Sequence, residues 1–399
     1  MAVNVKVGLI GPLDMLKFKN MAKVREQAIQ AAPADEITGE FSVNKLAKEL
    51  HPDYLKLRIA EIIEHKAAKT FVFESADDKK IPYFRAGQYL SLKLKIGDSY
   101  ITRPYSISSG PRWTKDGKIS ITVKANKDGF AADWMLENFK VGDEVISSAP
   151  EGQFYYENLR DSKHVIALAG GSGITPFLSM AYALRDGDED FNMTLLYGSR
   201  TEEDILFRKE LDDIAAACSK FKVVHVLSDE DKEGFEKGFI TADLIKKYMA
   251  GDDSIFICGP EAMYRFVDKE VAKLGLPRRL VRHEMLGVTK QVWEQDGFPA
   301  EAKDKSVKLT VRVGEAECTI DASCTEPVLV AIERAGIKAP SRCRSGECGW
   351  CRSKLVSGEV YIPAENEFRR YEDKNFGYIH PCCTFVLTDA VIEVPGEYY

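Results

Sequence analysis

The spacing of apolar residues divides the chain into segments of different texture. Between residues 54 and 158, short runs alternate apolar and polar side chains and are broken by Gly, Pro and Asp. Many short strands at such spacing predict a small antiparallel β-barrel. From His164 onward, apolar runs alternate with helical patterns, and this order predicts a parallel, doubly wound α/β sheet. Its strands are expected at Val165–Ala169, Met193–Tyr197, Val223–Leu227 and Ser254–Cys258.

The two ends of the chain have patterns of their own. Within residues 1–52, Met15, Phe18 and Met21 recur at helical spacing, so we expect a mostly helical N-terminal extension. We interpret it as an arm packed on the barrel or a dimer contact, with a docking surface for an electron-accepting partner as the alternative. From Val307 the pattern is a β-hairpin, a helix and a cysteine-rich loop. The predicted units are 1–52, 53–158, 159–290, a linker at 291–305, and 306–399.

Composition and charge narrow the class of protein. The chain has 399 residues, of which 45% are hydrophobic and 29% charged. These values are typical of a globular protein of about two to three domains, and they exclude disordered, collagen-like and disulfide-scaffold chains. Lys and Arg total 55 against 62 Asp and Glu, which gives a net charge of −7. Because nucleic-acid binding needs basic surfaces, we expect no nucleic-acid partner.

Three observations bear on the compartment. The longest uncharged run, His164–Leu184, has 21 residues, but its central glycines and proline indicate a strand, a turn and a helix rather than a membrane span. The first residues lack the basic start and long apolar middle of a secretion signal. The nine cysteines are an odd number, which favours a reducing compartment over a disulfide framework. We therefore expect a soluble cytoplasmic protein with no membrane insertion.

The cysteine-rich loop carries the strongest chemical signal. Its first three cysteines have the spacing C-x4-C-x2-C, and two adjacent cysteines follow about thirty residues later: Cys343, Cys348, Cys351, Cys382 and Cys383. This spacing is typical of the ligands of a plant-type [2Fe–2S] cluster. Gly346 and Gly349 would let backbone N–H groups approach the cluster sulfurs. The alternatives are a structural zinc site, which usually shows two closely spaced cysteine pairs, or buried free thiols.

The residues alone leave Cys382 and Cys383 as alternatives for the fourth ligand. Residues 307–395 resemble the plant-type ferredoxin family, whose last ligand is typically followed seven residues later by an Asp. Here Asp389 stands seven residues after Cys382. The resemblance thus implies a β-grasp domain in which Cys382 is the fourth metal ligand beside Cys343, Cys348 and Cys351. Cys383 would point to the opposite side of its strand, because side chains alternate along a strand.

A second motif lies on a predicted barrel strand. In Arg103-Pro104-Tyr105-Ser106 the Arg offers a forked cation for a phosphate, the Tyr a flat face and the Ser a hydroxyl. With the helix start at Gly129, Phe130, Ala131 and Ala132, residues 54–288 resemble the ferredoxin–NAD(P) reductase superfamily. The resemblance implies a flavin along Arg103, Pro104, Tyr105 and Ser106, with its pyrophosphate over that helix start. The phosphate site at the helix start favours FAD over FMN. The family often has a Ser near the position of Ala132; its absence here leaves only backbone N–H groups as donors.

The third motif is a glycine turn between a buried strand and a helix. Gly170, Gly171, Gly173 and Thr175 let a pyrophosphate approach the backbone, although a tight strand-to-helix connection is the alternative interpretation. Cys258-Gly259-Pro260 ends the last predicted strand at the same crevice. By the same resemblance, Cys258 lies beside the reactive nicotinamide carbon and Glu284 near the flavin. We take Ser106, Cys258 and Glu284 as candidate catalytic residues; Leu286 stands where relatives often have an aromatic.

The choice between NADH and NADPH depends on the residues after the second and third parallel strands. Ser199 and Arg200 could hold a 2′-phosphate. Acidic residues follow them at 202–204, and Asp229, Glu230 and Asp231 come after the third strand. Since a ring of carboxylates disfavours a further dianionic phosphate, the sequence favours NADH, with NADPH as the alternative.

The order flavin, nicotinamide, [2Fe–2S] predicts one electron path. A hydride carries two electrons and the cluster accepts one at a time, so a flavin has to stand between them. We expect an oxidoreductase in which NADH reduces FAD, FAD reduces the cluster, and the cluster reduces a partner protein. The resemblance is to hybrid reductases that serve oxygenases and related redox enzymes. The alternatives are a subunit that oxidises a reduced partner to form NAD(P)H, or a redox-sensing interaction module.

Overall fold

The computed structural model describes residues 12–31, 41–77, 79–125, 129–284 and 287–396. The chain divides into two compact units, Met1–Glu49 and Leu50–Tyr399. The first contains α1 (Pro12–Ala31) and most of α2 (Ser42–Leu50), whereas residues 1–11 and 32–40 of the expected extension lie outside the described residues. Among the described helices, none has both the length and the apolar character needed to cross a bilayer.

The second unit begins with a six-stranded antiparallel sheet that curls on itself. Its elements are β1 (Tyr54–His65), β2 (Ala68–Ser75), β3 (Tyr89–Ile96), β4 (Ser99–Ser106), β5 (Lys118–Lys124), α3 (Ala131–Asn138) and β6 (Glu144–Ser148). The strand order is β4-β3-β6-β1-β2-β5. A bridge between Ile107 and Ile121 brings the two edge strands together, and the curled sheet encloses a core that includes Leu57, Phe71 and Leu90.

A parallel sheet follows, with helices on both faces. Its elements are β7 (His164–Gly170), α4 (Thr175–Asp186), β8 (Asn192–Ser199), α5 (Arg208–Ala217), β9 (Phe221–Leu227), β10 (Glu236–Lys237), α6 (Ala242–Tyr248), β11 (Ser254–Cys258), α7 (Glu261–Ala272) and β12 (Val281–His283). The order β10-β9-β8-β7-β11-β12 reverses direction at β7. In open parallel sheets, ligands bind at the carboxyl ends of the strands at such a switch point, here beside β7 and β11. Separate apolar clusters cover the two faces, α4 and α5 in one and α6 and α7 in the other.

The last part of the chain forms a small mixed sheet. Its elements are β13 (Ser306–Val313), β14 (Ala316–Ser323), α8 (Val328–Arg334), β15 (Ser353–Ser357), β16 (Val360–Tyr361), α9 (Tyr371–Asn375), β17 (Tyr378–Ile379), β18 (Phe385–Val386) and β19 (Ala390–Glu393). Five strands have the order β14-β13-β19-β15-β17, and β16 pairs with β18. The segment predicted as a linker contains the buried side chains Val292 and Ala302, and Ala302 belongs to the core of this sheet.

We predict that Leu196→Ala lowers the free energy of unfolding by about 2–5 kcal/mol, because it opens a cavity between β8 and the helices on that face. Leu196 is fully buried, whereas Leu159 is 93% exposed. Leu159→Ala removes the same atoms and is the matched control, with a change within about 0.5 kcal/mol. Urea unfolding followed by circular dichroism checks both. Equal losses in the two variants would contradict the assigned packing.

Candidate functional site

Four cysteine thiols converge at the loop of residues 343–351. The Cys343 thiol hydrogen-bonds with the thiols of Cys348 and Cys382, and Cys382 also contacts the thiol of Cys351. Cys343, Cys351 and Cys382 are buried, whereas Cys348 is exposed. Hydrogen bonds from Cys348 and Cys382 hold the pKa of the Cys343 thiol far below its usual range. The four predicted metal-ligand residues therefore lie together.

The backbone of this loop faces the sulfurs. Gly346 has a φ of +89°, and a Cβ there would lie 2.7 Å from the carbonyl oxygen of Asn366, so only glycine fits. The N–H groups of Ser345 and Cys348 donate to Cys343 Sγ at 3.5 and 3.4 Å. Four cysteines with backbone N–H donors are the set that a [2Fe–2S] cluster uses, so these residues fit that cluster.

The two adjacent cysteines have different surroundings. Cys382 contacts two of the loop thiols, whereas Cys383 Sγ donates to the carbonyl oxygens of Asn366 at 3.6 Å and His380 at 3.5 Å. Asn366 Nδ2 in turn donates to the carbonyl oxygen of Ser345 at 2.9 Å. Cys383 thus belongs to the buried support of the loop, and this geometry favours Cys382 as the fourth ligand.

Arg103 lies on β4 at the boundary with the last domain. Its Nη1 donates to the carbonyl oxygen of Thr102 at 2.9 Å and lies 3.6 Å from Oε2 of Glu333, which α8 contributes. Burial lowers the pKa of the Arg103 guanidinium to about 10, so the group stays charged near neutral pH. A mostly buried, fixed cation of this kind fits a phosphate group.

The next residues of β4 follow an edge of the sheet, where Pro104 is tolerated because its missing N–H faces no partner strand. Burial raises the pKa of Tyr105 to about 12, and Ser106 is also buried. Ser106 lies opposite Tyr89 of β3 in the sheet register. Burial raises the pKa of Tyr89, and the charges of Cys343, Cys348 and Glu284 raise it further. Tyr89 also exchanges two backbone hydrogen bonds with Glu151, so the end of β4 and Glu151 lie on either side of it.

The helix start that follows β5 suits an anion. Helix α3 begins at Ala131, and among the described residues no side chain caps its N-terminus. Ala131 is buried and Ala132 half-buried, whereas Phe130, preceded by Gly129, is exposed. Uncapped N–H groups at a helix start favour phosphate, so this segment fits the pyrophosphate expected there.

The glycine turn after β7 packs against the loop after β11. A Cβ at Gly173 would lie 2.1 Å from the carbonyl oxygen of Cys258, and one at Gly170 would lie 2.4 Å from Met263 Sδ. Gly171 has a φ of +53°. Gly173 is therefore required by a backbone contact within the protein, whereas a side chain at Gly170 would have to displace the flexible side chain of Met263. The sequence suggested that these glycines serve the ligand, with a tight strand-to-helix connection as the alternative. Thr175 begins α4, and its Oγ1 donates to the carbonyl oxygen of Ser172 at 3.1 Å.

Cys258 and Glu284 lie at the carboxyl ends of neighbouring strands. Both are buried, and burial raises the pKa of each group well above its usual value. Tyr264, on α7, donates its hydroxyl hydrogen to the carbonyl oxygen of Glu284 at 2.6 Å, and the hydroxyl also hydrogen-bonds with the Cys258 thiol. Sequence reasoning missed Tyr264, whose position one helical turn after Pro260 was the available signal. Leu286 lies outside the described residues.

Ser199 and Arg200 are at the carboxyl end of β8, at the same edge of the sheet. The Arg200 side chain is 80% exposed, and its Nε lies 2.9 Å from Oδ2 of Asp229, which follows β9. The guanidinium of Arg200, which would hold a 2′-phosphate, is therefore already paired with the carboxylate of Asp229.

Arginines of the cysteine loop join it to the antiparallel sheet. Arg342 forms an ion pair with Glu151, donates to the carbonyl oxygen of Asp53 at 3.1 Å and stacks on Trp350 at 3.5 Å from the ring centre. Sequence reasoning missed the contacts of Arg342 with Glu151 and Asp53, because these residues are far from it in the chain.

Three family models match successive parts of the chain. They are an oxidoreductase FAD-binding domain at residues 55–156, an oxidoreductase NAD-binding domain at 167–269 and a 2Fe-2S iron-sulfur cluster binding domain at 311–387. The ferredoxin reductase component of 3-ketosteroid-9-alpha-monooxygenase from Mycobacterium tuberculosis is 31% identical, over 84% of this chain and 94% of that protein. The chain belongs to the ferredoxin–NAD(P) reductase superfamily, in the branch with a C-terminal [2Fe–2S] domain.

Other similar proteins have the same layout. The glycine betaine monooxygenase reductase subunit of Chromohalobacter salexigens is 29% identical over 82% of this reductase and 91% of that protein. A component of the 1,2-phenylacetyl-CoA epoxidase of Escherichia coli is 27% identical over 82% and 94%. The solved structure of phthalate dioxygenase reductase superposes with a TM-score of 0.60 at 25% identity, covering 86% and 98%. The predicted oxidoreductase with FAD, NAD and [2Fe–2S] domains is thus confirmed.

We predict that Cys382→Ser abolishes or severely reduces cluster binding, whereas Cys383→Ser retains it, because only Cys382 contacts the loop thiols Cys343 and Cys351. Iron and acid-labile sulfide per chain, with the visible spectrum of the purified protein, measure the difference. The two variants make the same chemical change at adjacent positions, so each controls the other. Cluster loss in Cys383→Ser alone would reverse the assignment.

Proposed function

We propose that this reductase passes electrons from NADH through FAD and the [2Fe–2S] cluster to an oxygenase component. The observation that carries the proposal is the contact between the cysteine loop and β4, where Arg344 Nη1 lies 3.4 Å from the carbonyl oxygen of Thr102, the residue before Arg103. Strand β4, to which we assign the flavin and which we call the flavin strand, thus contacts the loop that carries the cysteines. The relatives named as reductase parts of monooxygenase and dioxygenase systems support an oxygenase as the acceptor.

The chain's own residues bind and orient, and none is needed as a general acid or base. We assign Arg103 to a flavin phosphate, Tyr105 and Ser106 to the ring, and residues 129–132 to the pyrophosphate. Bound FAD supplies the conversion between two-electron and one-electron transfer. We assign the turn of residues 170–175 to the nucleotide pyrophosphate.

The loop of residues 258–260 is assigned to the nicotinamide. Glu284, buried nearby with its carboxyl pKa raised by burial, is assigned to the same ring site. We assign Cys343, Cys348, Cys351 and Cys382 to the cluster irons.

We further propose the domain boundaries 53–158, 159–290 and 306–399, preceded by a mostly helical extension of residues 1–52. The three family-model matches fall within these boundaries, which supports them. In this division the curled antiparallel sheet is a flavin-binding β-barrel, the parallel sheet a doubly wound domain and the last sheet a β-grasp domain. We place the reductase in the cytoplasm, since none of its nine cysteines forms a disulfide.

The electron path predicts the response to nucleotide. Under anaerobic conditions, excess NADH should rapidly bleach both the flavin bands and the broad cluster absorbance, because one NADH carries two electrons whereas FAD and the cluster together accept three. NADPH should do so more slowly, because Arg200 is already paired with Asp229. Stopped-flow visible spectroscopy of the purified protein measures both rates. Intact absorbance after both nucleotides would refute the reductase assignment, and bleaching of the flavin alone would refute transfer to the cluster.

Asp229 gives a test of nucleotide preference. Asp229→Asn releases Arg200 and removes a negative charge, so kcat/KM for NADPH should rise about threefold to fivefold relative to that for NADH, the size typical of one exposed charge pair. Asp231→Asn is the matched control, because Asp231 lies in the same loop but pairs with Lys237 at 2.7 Å. An unchanged ratio in Asp229→Asn, or an equal change in both variants, would contradict the assignment.

A further inference from the structure

Three charged side chains from two domains meet beside the flavin strand. Glu333 of α8 is buried, although the helix around it is apolar in sequence. Its carboxylate accepts two hydrogen bonds from Arg344, with Nη1 at 2.6 Å and Nη2 at 3.1 Å. The same carboxylate lies 3.6 Å from Nη1 of Arg103. Two mostly buried guanidinium groups therefore share one buried carboxylate.

The carboxylate of Glu333 interacts more strongly with Arg344 than with Arg103. Arg344 holds both oxygens in a bidentate pair, which is the strong form of this interaction. Arg103 makes only the longer contact, with the nitrogen that also donates to the carbonyl oxygen of Thr102. Two cations and one anion leave one positive charge. Since a buried charge needs a partner, this excess charge favours an anion next to Arg103.

Arg344 is held in this position by the cluster loop itself. It follows Cys343 directly and has a φ of +58°, a left-handed conformation that non-glycine residues rarely adopt. Its Nη1 also lies 3.4 Å from the carbonyl oxygen of Thr102, the residue before Arg103. The side chain of a cluster-loop residue thus reaches across the domain boundary to the backbone of the flavin strand.

We propose that Arg344 is a positioning residue for the flavin: by occupying Glu333, it keeps the guanidinium of Arg103 available to the flavin phosphate. The inference rests on the proposed assignment of Arg103 to that phosphate. Without Arg344, the buried carboxylate of Glu333 takes Arg103 as its own partner and competes with the phosphate. The affinity for flavin then depends on the loop that carries the cluster, and by reciprocity bound flavin stabilises the docked position of that loop.

The test is the dissociation constant of FAD from the full-length protein, measured from the rise in flavin fluorescence on dilution. Arg344→Gln should raise this constant about tenfold, the size of one charge-assisted hydrogen bond. Glu333→Gln should not raise it, because the competing carboxylate is gone. The double variant Arg344→Gln/Glu333→Gln should return to within about threefold of the unmodified protein, since Arg103 again has no competitor.

Arg342→Gln is the matched control, because Arg342 lies on the same loop and crosses the same boundary but pairs with Glu151. Its FAD dissociation constant should change less than about twofold. An unchanged constant in Arg344→Gln overturns the proposal. So does a double variant as weak as Arg344→Gln, or an Arg342→Gln effect of equal size, because each would indicate general loss of docking. Iron content is measured for every variant. If Arg344→Gln loses its cluster, the FAD dissociation constant of the double variant decides between the proposal and a general loss of docking.

Arg103→Gln separates this proposal from the function on which it rests. If Arg103→Gln leaves FAD binding unchanged, the assignment of Arg103 to the phosphate fails, and the role of Arg344 fails with it. If Arg103→Gln weakens FAD binding while Arg344→Gln does not, the phosphate assignment stands and only the positioning role is overturned.

Discussion

The packing of the cysteine loop against strand β4 is the contact on which the rest of the arrangement depends. The last domain has an apolar core of its own, whereas the first two domains share one in which Phe154 packs on Phe177 and Phe256. The apolar cores therefore do not fix how the last domain faces the first. Charged groups supply that register. Arg342 pairs with Glu151. Arg344 lies near the carbonyl oxygen of Thr102, and Glu333 lies near the guanidinium of Arg103. A buried charge tolerates little displacement from its partner, so these pairs set the position of the loop narrowly.

Most of the chemistry was readable from local sequence. The cysteine spacing, the motif at 103–106 and the glycine turn each predict a ligand class, because the candidate residues lie within a few positions of one another. The matches to cluster-, FAD- and NAD-binding domains confirm these classes, whereas the residues that hold each ligand stay a prediction. The alternating patterns also predicted the antiparallel and parallel sheets. The contribution of Tyr264 and Glu333 was not readable, because each acts through a partner far along the chain. A weak local signal for Glu333 was its place directly after the apolar run of residues 328–332 on α8.

The glycines of the turn after β7 show that contacts within the protein, and not only a ligand, can require a pattern of this kind. From the sequence, Gly170 and Gly173 were expected to serve the approach of a pyrophosphate. In the structure a side chain at either position would collide with Met263 or with the backbone of Cys258. The strand-end loops of β7 and β11 are thus packed tightly against each other, which holds the Cys258 thiol in place. Sequence alone cannot distinguish a glycine required by a ligand from one required by a neighbouring loop.

The strand order of the last domain has a consequence for its assembly during synthesis. Strand β19 is the middle strand of the five, and it pairs with β13, so that Leu309 lies opposite Ala390. The sheet therefore cannot close until residues 390–393 have left the ribosome, although the first three cluster cysteines emerge some forty residues earlier. Cys382 also arrives late. The last strand of the curled sheet ends at residue 148. All strands of the sheet on which the cysteine loop docks are therefore synthesised well before that loop can take its final form.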